Sequence, residues 1–295
     1  MNTNSEDLYT IEIYLNKKCN INCNFCLSKG NTSSKKENID LLIKKLDDSF
    51  EKFNVLIFGG EPTIDTNFLY LIKKLNNLNK VNTLKIVTNL LDIKNLLKIK
   101  KYDNFKKVII TTTFHDIYEN KRFFKFLKNL KLIKKEGFNF EILYAFEIVE
   151  KNIILKDLKN IQKRINILNR FNDVYLVYYH FYEKNIKLKE LYLEIIPIFE
   201  KLKNLKKLAY YISDNKIITE KNINLGAPIN IAKKLCLKNK KNYFCDITEK
   251  VKIYECHCQY FNSMDFKTDF DFKINNKNCQ ICTEVKIFDK NPIIF

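Results

Sequence analysis

Through its first two-thirds the chain alternates short apolar runs with longer, lysine-rich stretches whose apolar residues fall three and four positions apart. The first rhythm suits a buried strand and the second an amphipathic helix. Tyr9 to Leu15 reads as a strand, and Ile39 to Phe53 as a helix. Val55 to Phe58 is a short buried strand ended by Gly59-Gly60; Phe68 to Leu78 is helical, Leu84 to Thr88 a strand, and Leu91 to Ile99 a helix. The alternation continues with Val108 to Thr113 and then Lys121 to Lys135, which Gly137 stops. Phe140 to Ile148 precedes the helix Ile153 to Leu168, and Val174 to His180 precedes Leu188 to Leu202. Strand–helix units in such succession predict a parallel sheet with helices outside it. Their number falls two short of a closed eight-stranded barrel, so an open doubly wound sheet and an incomplete barrel both satisfy the periodicity.

After about Asn204 the rhythm breaks into short segments that carry six cysteines. This shift divides the chain into a core over residues 1–205 and a small cysteine-rich extension over 206–295. With 295 residues, 46% of them hydrophobic, the chain has ample material for a core. Five glycines and four prolines are too few for a collagen-like, linker-rich or turn-dense all-β protein. No apolar run approaches the ~18 residues of a membrane span. The start, Met1 to Leu8, lacks a basic segment followed by an apolar one, so the expectation is a cytoplasmic protein with no membrane partner.

The net charge of +18 is almost all lysine, with arginine only at 122, 164 and 170. Arginine is the residue that forks onto phosphates and guanine edges, so the charge is a weak argument for nucleic acid. A solvated lysine surface and a polyanionic partner both account for it. Charge alone does not decide function.

The nine cysteines are more informative. Cys19, Cys23 and Cys26 lie near the start; Cys236, Cys245, Cys256, Cys258, Cys279 and Cys282 lie near the end. An odd count in a reducing compartment argues against disulfides and for metal ligands. Three thiolates on a loop after the first strand can hold three irons of a cubane cluster and leave the fourth open. A structural zinc site prefers four protein ligands, and His115, His180 and His257 are all distant in sequence.

The spacing CxxxCxxC, with Phe25 before the last cysteine, resembles the radical S-adenosylmethionine (radical SAM) superfamily. The match strengthens at Gly59-Gly60-Glu61-Pro62, which follows the second strand where that family carries its GGE motif. The resemblance implies an α/β fold, a partial (β/α)6 TIM-like barrel of the radical SAM type. It also implies a [4Fe–4S] cluster on Cys19, Cys23 and Cys26, with S-adenosylmethionine on the open iron. Electron transfer would then cleave the sulfonium to a 5′-deoxyadenosyl radical. Cofactor-binding expectations fall on Gly59, Gly60, Glu61 and Pro62 for the methionyl end, Asn89 of the Thr88-Asn89 pair, Thr113 toward the ribose and Phe25 against adenine. Physically, two glycines permit close backbone approach, and a glutamate can accept from an ammonium. Leu90 departs from the family, which commonly has glycine there.

The end of the chain resembles the SPASM/twitch extensions of peptide- and protein-modifying radical SAM enzymes. The stretch Cys236 to Cys258, which includes residues 244–247 and 251–256, looks like their strand–turn–strand ending in a cysteine, and Cys279-Gln-Ile-Cys282 like the CxxC that follows. The resemblance implies one auxiliary [4Fe–4S] cluster on Cys236, Cys256, Cys279 and Cys282, with Cys245 and Cys258 as alternative ligands; structural zinc at four of the six is the rival. The expected substrate is a peptide or protein, with RNA or a small metabolite as the alternative, and the expected electron donor is a flavodoxin or ferredoxin. A non-catalytic iron–sulfur or zinc protein, acting as a scaffold or an electron carrier, is the reading from another class.

Overall fold

The computed structural model describes residues 8–21, 23, 26, 30–49, 51–115, 120–147, 151–179, 201–204, 207–209 and 242–254. They divide between two compact units, one of residues 1–113, 120–141 and 241–260, the other of 114–119, 142–240 and 261–295.

In the first unit, strands β1 (Tyr9–Tyr14), β2 (Phe53–Phe58), β3 (Val81–Thr88) and β4 (Val108–His115) run parallel, joined by helices α1 (Lys36–Asp48), α2 (Phe68–Asn77) and α3 (Lys94–Ile99). Helix α4 (Asn120–Lys135) follows. Their sequences explain the layering. Within β2, the residues alternate between buried and half-buried, whereas β4 is buried almost throughout. Each helix buries one apolar stripe: Ile39, Leu42 and Leu46 on α1, Phe68, Leu71, Ile72 and Leu75 on α2, and Phe123, Phe126, Leu130 and Ile133 on α4. Aromatic pairs lock the register of β1 on β2 at both ends, Tyr9 against Phe53 and Tyr14 against Phe58. Gly137, at φ 80°, closes α4 while Phe138 N–H donates to Ile133 O at 3.1 Å, the glycine stop that the sequence predicts.

Two further strands join this sheet. β8 (Asn242–Asp246) lies parallel beside β1, in register from Thr10 opposite Asn242 to Tyr14 opposite Asp246, and β9 (Lys252–Tyr254) returns antiparallel to it. Stacking of Tyr9 on Tyr243 and donation from Asn38 Nδ2 to Ile247 O fasten the hairpin to β1 and α1. The strand–turn–strand expected near the end of the chain is present, and β1 is its platform.

In the second unit β5 (Asn139–Glu147), which begins in the first, pairs parallel with β6 (Val174–Tyr179), and β6 with β7 (Lys207–Ala209). Helix α5 (Lys151–Leu168) buries Ile161, Ile165 and Leu168, and Phe114 meets Tyr144 edge-on at 5.1 Å.

The α/β expectation with parallel strands therefore holds. Boundaries moved where a polar cap or a strand claimed a residue. Phe53 opens β2 instead of ending α1. Helix α3 starts at Lys94 because Asp92 Oδ1 accepts from Lys94 N–H at 3.0 Å. The helix expected over 188–202 lies almost wholly outside the described residues. No described helix is long and apolar enough to cross a membrane.

Candidate active site

The loops that leave β1, β2 and β3 at their C-terminal ends are sewn together by buried hydrogen bonds. Ligand sites of parallel α/β sheets gather at this end. Leaving β1, Leu15 N–H donates to Phe58 O at 2.9 Å. Gly60 N–H then donates to Asn16 O, and Glu61 N–H to Lys18 O, both at 2.8 Å. Asn16 Nδ2 returns a bond to Glu61 O at 3.0 Å.

This contact is what the two glycines serve. A Cβ on Gly60 would stand 2.2 Å from Lys18 O, and one on Gly59, at φ 149°, 2.5 Å from Asn16 O. The sequence suggests close approach to a ligand; the approach seen here is to the backbone of the cysteine loop. The far end of that loop is tied to the same turn. Asp65 accepts from Ser34 N–H and Ser34 Oγ, at 3.3 and 3.1 Å, and Asn67 Nδ2 donates to Ser34 O at 2.7 Å. The cysteine-bearing segment is thus pinned at both ends to the turn that carries Gly59 to Asn67.

Glu61 is buried, at 1% exposure, and its carboxylate is heavily used. Oε1 accepts from Thr63 N–H (3.1 Å), Thr63 Oγ1 (2.7 Å) and Thr88 Oγ1 (2.8 Å); Oε2 accepts from Asn89 N–H at 2.7 Å. A carboxylate offers about four acceptor positions, so little capacity is left, all of it on Oε2. Burial pushes its pKa up, while the bonds from Thr63, Asn89 and Thr88 pull against that. Pro62 is buried and opens the 3-10 turn Pro62–Ile64, where its missing N–H costs nothing.

Beyond β3, Thr88 Oγ1 accepts from Leu90 N–H, and Asn89 Oδ1 from Leu91 N–H, both at 3.0 Å. Leu90 takes φ 58° and is fully buried, so its side chain holds a backbone shape that glycine reaches without strain. Asn89 Nδ2 reaches the cysteine loop, 2.7 Å from Asn20 Oδ1 and 3.8 Å from Cys19 Sγ.

Cys19, Cys23 and Cys26 stand on this loop as thiols outside any disulfide; Cys23 is buried and the other two are half-buried. Burial raises the Cys19 pKa to about 11, and the charges of Glu61 and Cys26 add to the rise. Among the described residues no three Cys, His, Asp or Glu side chains converge as a ready-made metal site. The donor chemistry nevertheless suits iron: three thiols on a single loop, with Cys26 near enough to act on Cys19. At two positions here a buried side-chain oxygen also lacks a hydrogen-bond partner among the described residues. Thr113 Oγ1 is at the end of β4 and Asn16 Oδ1 is beside Gly59. An orphaned hydroxyl at Thr113 fits a polar ligand group such as a ribose.

The structure therefore brings Cys19, Gly59 to Pro62 and Asn89 into one bonded cluster. Phe25, Cys236, Cys256, Cys258, Cys279 and Cys282 lie outside the described residues. Cys245 is enclosed in β8, opposite Ile13, with its thiol pushed up to about 12 by burial. His115 is half-buried, and burial lowers its pKa to about 4, so it is neutral at pH 7. Asn16, Asn20 and Thr63 belong to the site although sequence reading passed over them. The available signal was a polar residue, Asn16, directly after an apolar strand and before the cysteines.

Residues 13–157 match the family model described as the Radical SAM superfamily. No curated protein matches the sequence. Among solved structures, Streptococcus suis SuiB bound to precursor peptide SuiA superposes with a TM-score of 0.54 at 14% identity, over 89% of this chain and 62% of that one. SuiB bound to S-adenosylmethionine gives 0.52 at 16% identity, over 86% and 59%. Native anSMEcpe with bound AdoMet gives 0.50 at 17% identity, over 65% and 59%. At such identities the likeness is one of fold, and the chain spans about three-fifths of the length of these proteins. The fold agrees with the partial TIM-like barrel expected from the cysteine and glycine motifs. Residues 13–157 of this chain are a domain of the Radical SAM superfamily.

Proposed function

We propose that the chain is a radical SAM enzyme that modifies a peptide or protein substrate. Cys19, Cys23 and Cys26 would hold a [4Fe–4S] cluster, and Gly59 to Pro62, Asn89, Thr113 and Phe25 would line the S-adenosylmethionine site. The observation that carries this reading is a loop of three thiols fastened at both ends to the Gly59–Asn67 turn. When bound, cluster and cofactor together supply a 5′-deoxyadenosyl radical able to abstract hydrogen from substrate. The protein's part is placement. Gly59 and Gly60 let the turn lie against the cysteine loop, and Glu61 holds Thr63, Thr88 and Asn89 in one frame. The Thr113 hydroxyl is left to meet a polar group of the ligand.

The peptide reading is supported by the fold shared with SuiB, a protein solved with a precursor peptide bound. RNA or a small metabolite is the alternative substrate class. Residues 206–295 are proposed as an auxiliary-cluster extension with Cys236, Cys256, Cys279 and Cys282 as ligands and Cys258 in reserve. Cys245 is the other alternative ligand, and its enclosure in mid-strand makes it the less accessible of the two. A flavodoxin or ferredoxin is the proposed electron source.

The test is anaerobic reconstitution with iron and sulfide, then reduction with dithionite in the presence of S-adenosylmethionine. Slow release of 5′-deoxyadenosine without substrate is expected. Protein that binds the cofactor and never cleaves it under strong reduction is a scaffold, and the reading fails. A mass change on a short peptide encoded beside this gene selects the peptide class.

A further inference from the structure

We infer that Asn89 is a positioning residue for the cluster: held in place by Glu61 and Asn20, its side-chain amide directs an N–H at Cys19 Sγ and raises the cluster's reduction potential. The inference rests on the proposed cluster at Cys19, Cys23 and Cys26.

The orientation of the amide is fixed on three sides. Its backbone N–H is held by Glu61 Oε2 at 2.7 Å, and its Oδ1 accepts from Leu91 N–H at 3.0 Å. Turning the amide over would set Nδ2 against the Leu91 N–H, donor against donor. Nδ2 must therefore face the cysteine loop, 2.7 Å from Asn20 Oδ1 and 3.8 Å from Cys19 Sγ. An NH2 group carries two hydrogens, so both partners are served at once. Asn89 is 5% exposed, and a hydrogen bond strengthens where water is scarce.

As a thiol, Cys19 points its own weak donor at Asn20 Oδ1, at 4.0 Å. Once ligated as thiolate it has no hydrogen to give and becomes a pure acceptor, which matches the Asn89 donor already in place. An N–H aimed at a cluster sulfur favours the more negative, reduced state, and such bonds are among the levers that set cluster potentials. Glu61 acts one step behind. It holds the Asn89 backbone and so aims the side chain.

The experiment is a potentiometric titration of the anaerobically reconstituted protein without S-adenosylmethionine, followed by electron paramagnetic resonance. Wild type is compared with Asn89→Ala and Asn89→Asp, and iron content and circular dichroism are recorded for each. The expected result is normal iron with a more negative midpoint in both variants. At a fixed potential the reduced-to-oxidised ratio should fall about tenfold, ~59 mV for a one-electron couple. Asn89→Asp should shift at least as far, because it keeps the acceptor for Leu91 and puts an oxygen where the N–H was. Unchanged midpoints at normal iron content overturn the inference. So do folded variants that both lack iron, since Asn89 would then be only a prop for the loop. Wild-type protein that takes up no iron sinks the cluster reading itself, which separates the two failures.

Discussion

Replacing Glu61 by alanine removes the acceptor on which the turn after β2 and the end of β3 converge. Four donors lose their partner: Thr63 N–H, Thr63 Oγ1, Thr88 Oγ1 and Asn89 N–H. They are not equally stranded. The Thr63 hydroxyl has Asp92 O within 3.2 Å, and the Thr88 hydroxyl can rotate. The two backbone N–H groups have no such freedom. A buried donor left unsatisfied costs about 1–3 kcal/mol. The loss is offset in part because a carboxylate no longer has to be buried, a cost visible in the upward push on its pKa. The net expectation is ~2–4 kcal/mol of lost stability, or roughly 5–15 °C in Tm for a unit of this size. Glu61→Gln should lose less, since it keeps the shape and one acceptor oxygen but sets an NH2 against one of the donors. Urea titration of the metal-free proteins measures both. A change below about 0.5 kcal/mol in Glu61→Ala would mean that these four bonds do not hold the loops, and would return Glu61 to the role of a dispensable side chain awaiting a ligand.

Gly60→Ala should fail to fold or lose well over ~3 kcal/mol, because its Cβ would sit 2.2 Å from Lys18 O. Gly137→Ala, whose Cβ meets nothing within 4 Å, should lose only the ~1–2 kcal/mol of a left-handed residue; paired thermal melts check the contrast, and equal losses contradict it. His115 has a folded pKa of about 4 against an ordinary value of 6.5. The unfolded chain therefore binds the extra proton first, and this residue's contribution is intact above pH 6.5 and is lost as pH falls toward 4. Stability curves from pH 7 to 4 should be flatter for His115→Gln by up to ~3 kcal/mol; superimposable curves would show that the imidazole is not shielded.

The sequence is most legible where chemistry and local pattern coincide. CxxxCxxC and Gly-Gly-Glu-Pro mark the two loops, and the strand–helix rhythm places them after β1 and β2. What the pattern cannot carry is who touches whom. The glycines read as room for a ligand, yet the space they leave is filled by the carbonyls of Asn16 and Lys18. Glu61 reads as a free carboxylate, yet residues 63, 88 and 89 surround it. The parallel pairing of β8 with β1 joins positions more than 200 residues apart. Periodicity specifies a strand's faces and leaves its neighbour undetermined. Leu90 shows the reverse: the left-handed backbone at φ 58° persists although no glycine announces it.

The most direct test of the account is the iron and sulfide content of the reconstituted protein and of a variant with Cys19, Cys23 and Cys26 all replaced by alanine. Two cubane clusters predict about eight irons and eight sulfides in the wild type. The variant should lose about four of each, together with all cleavage of S-adenosylmethionine, and keep the remainder. An unchanged iron count in the variant, or zinc in place of iron at both sites, would contradict the claim that this loop builds the cluster.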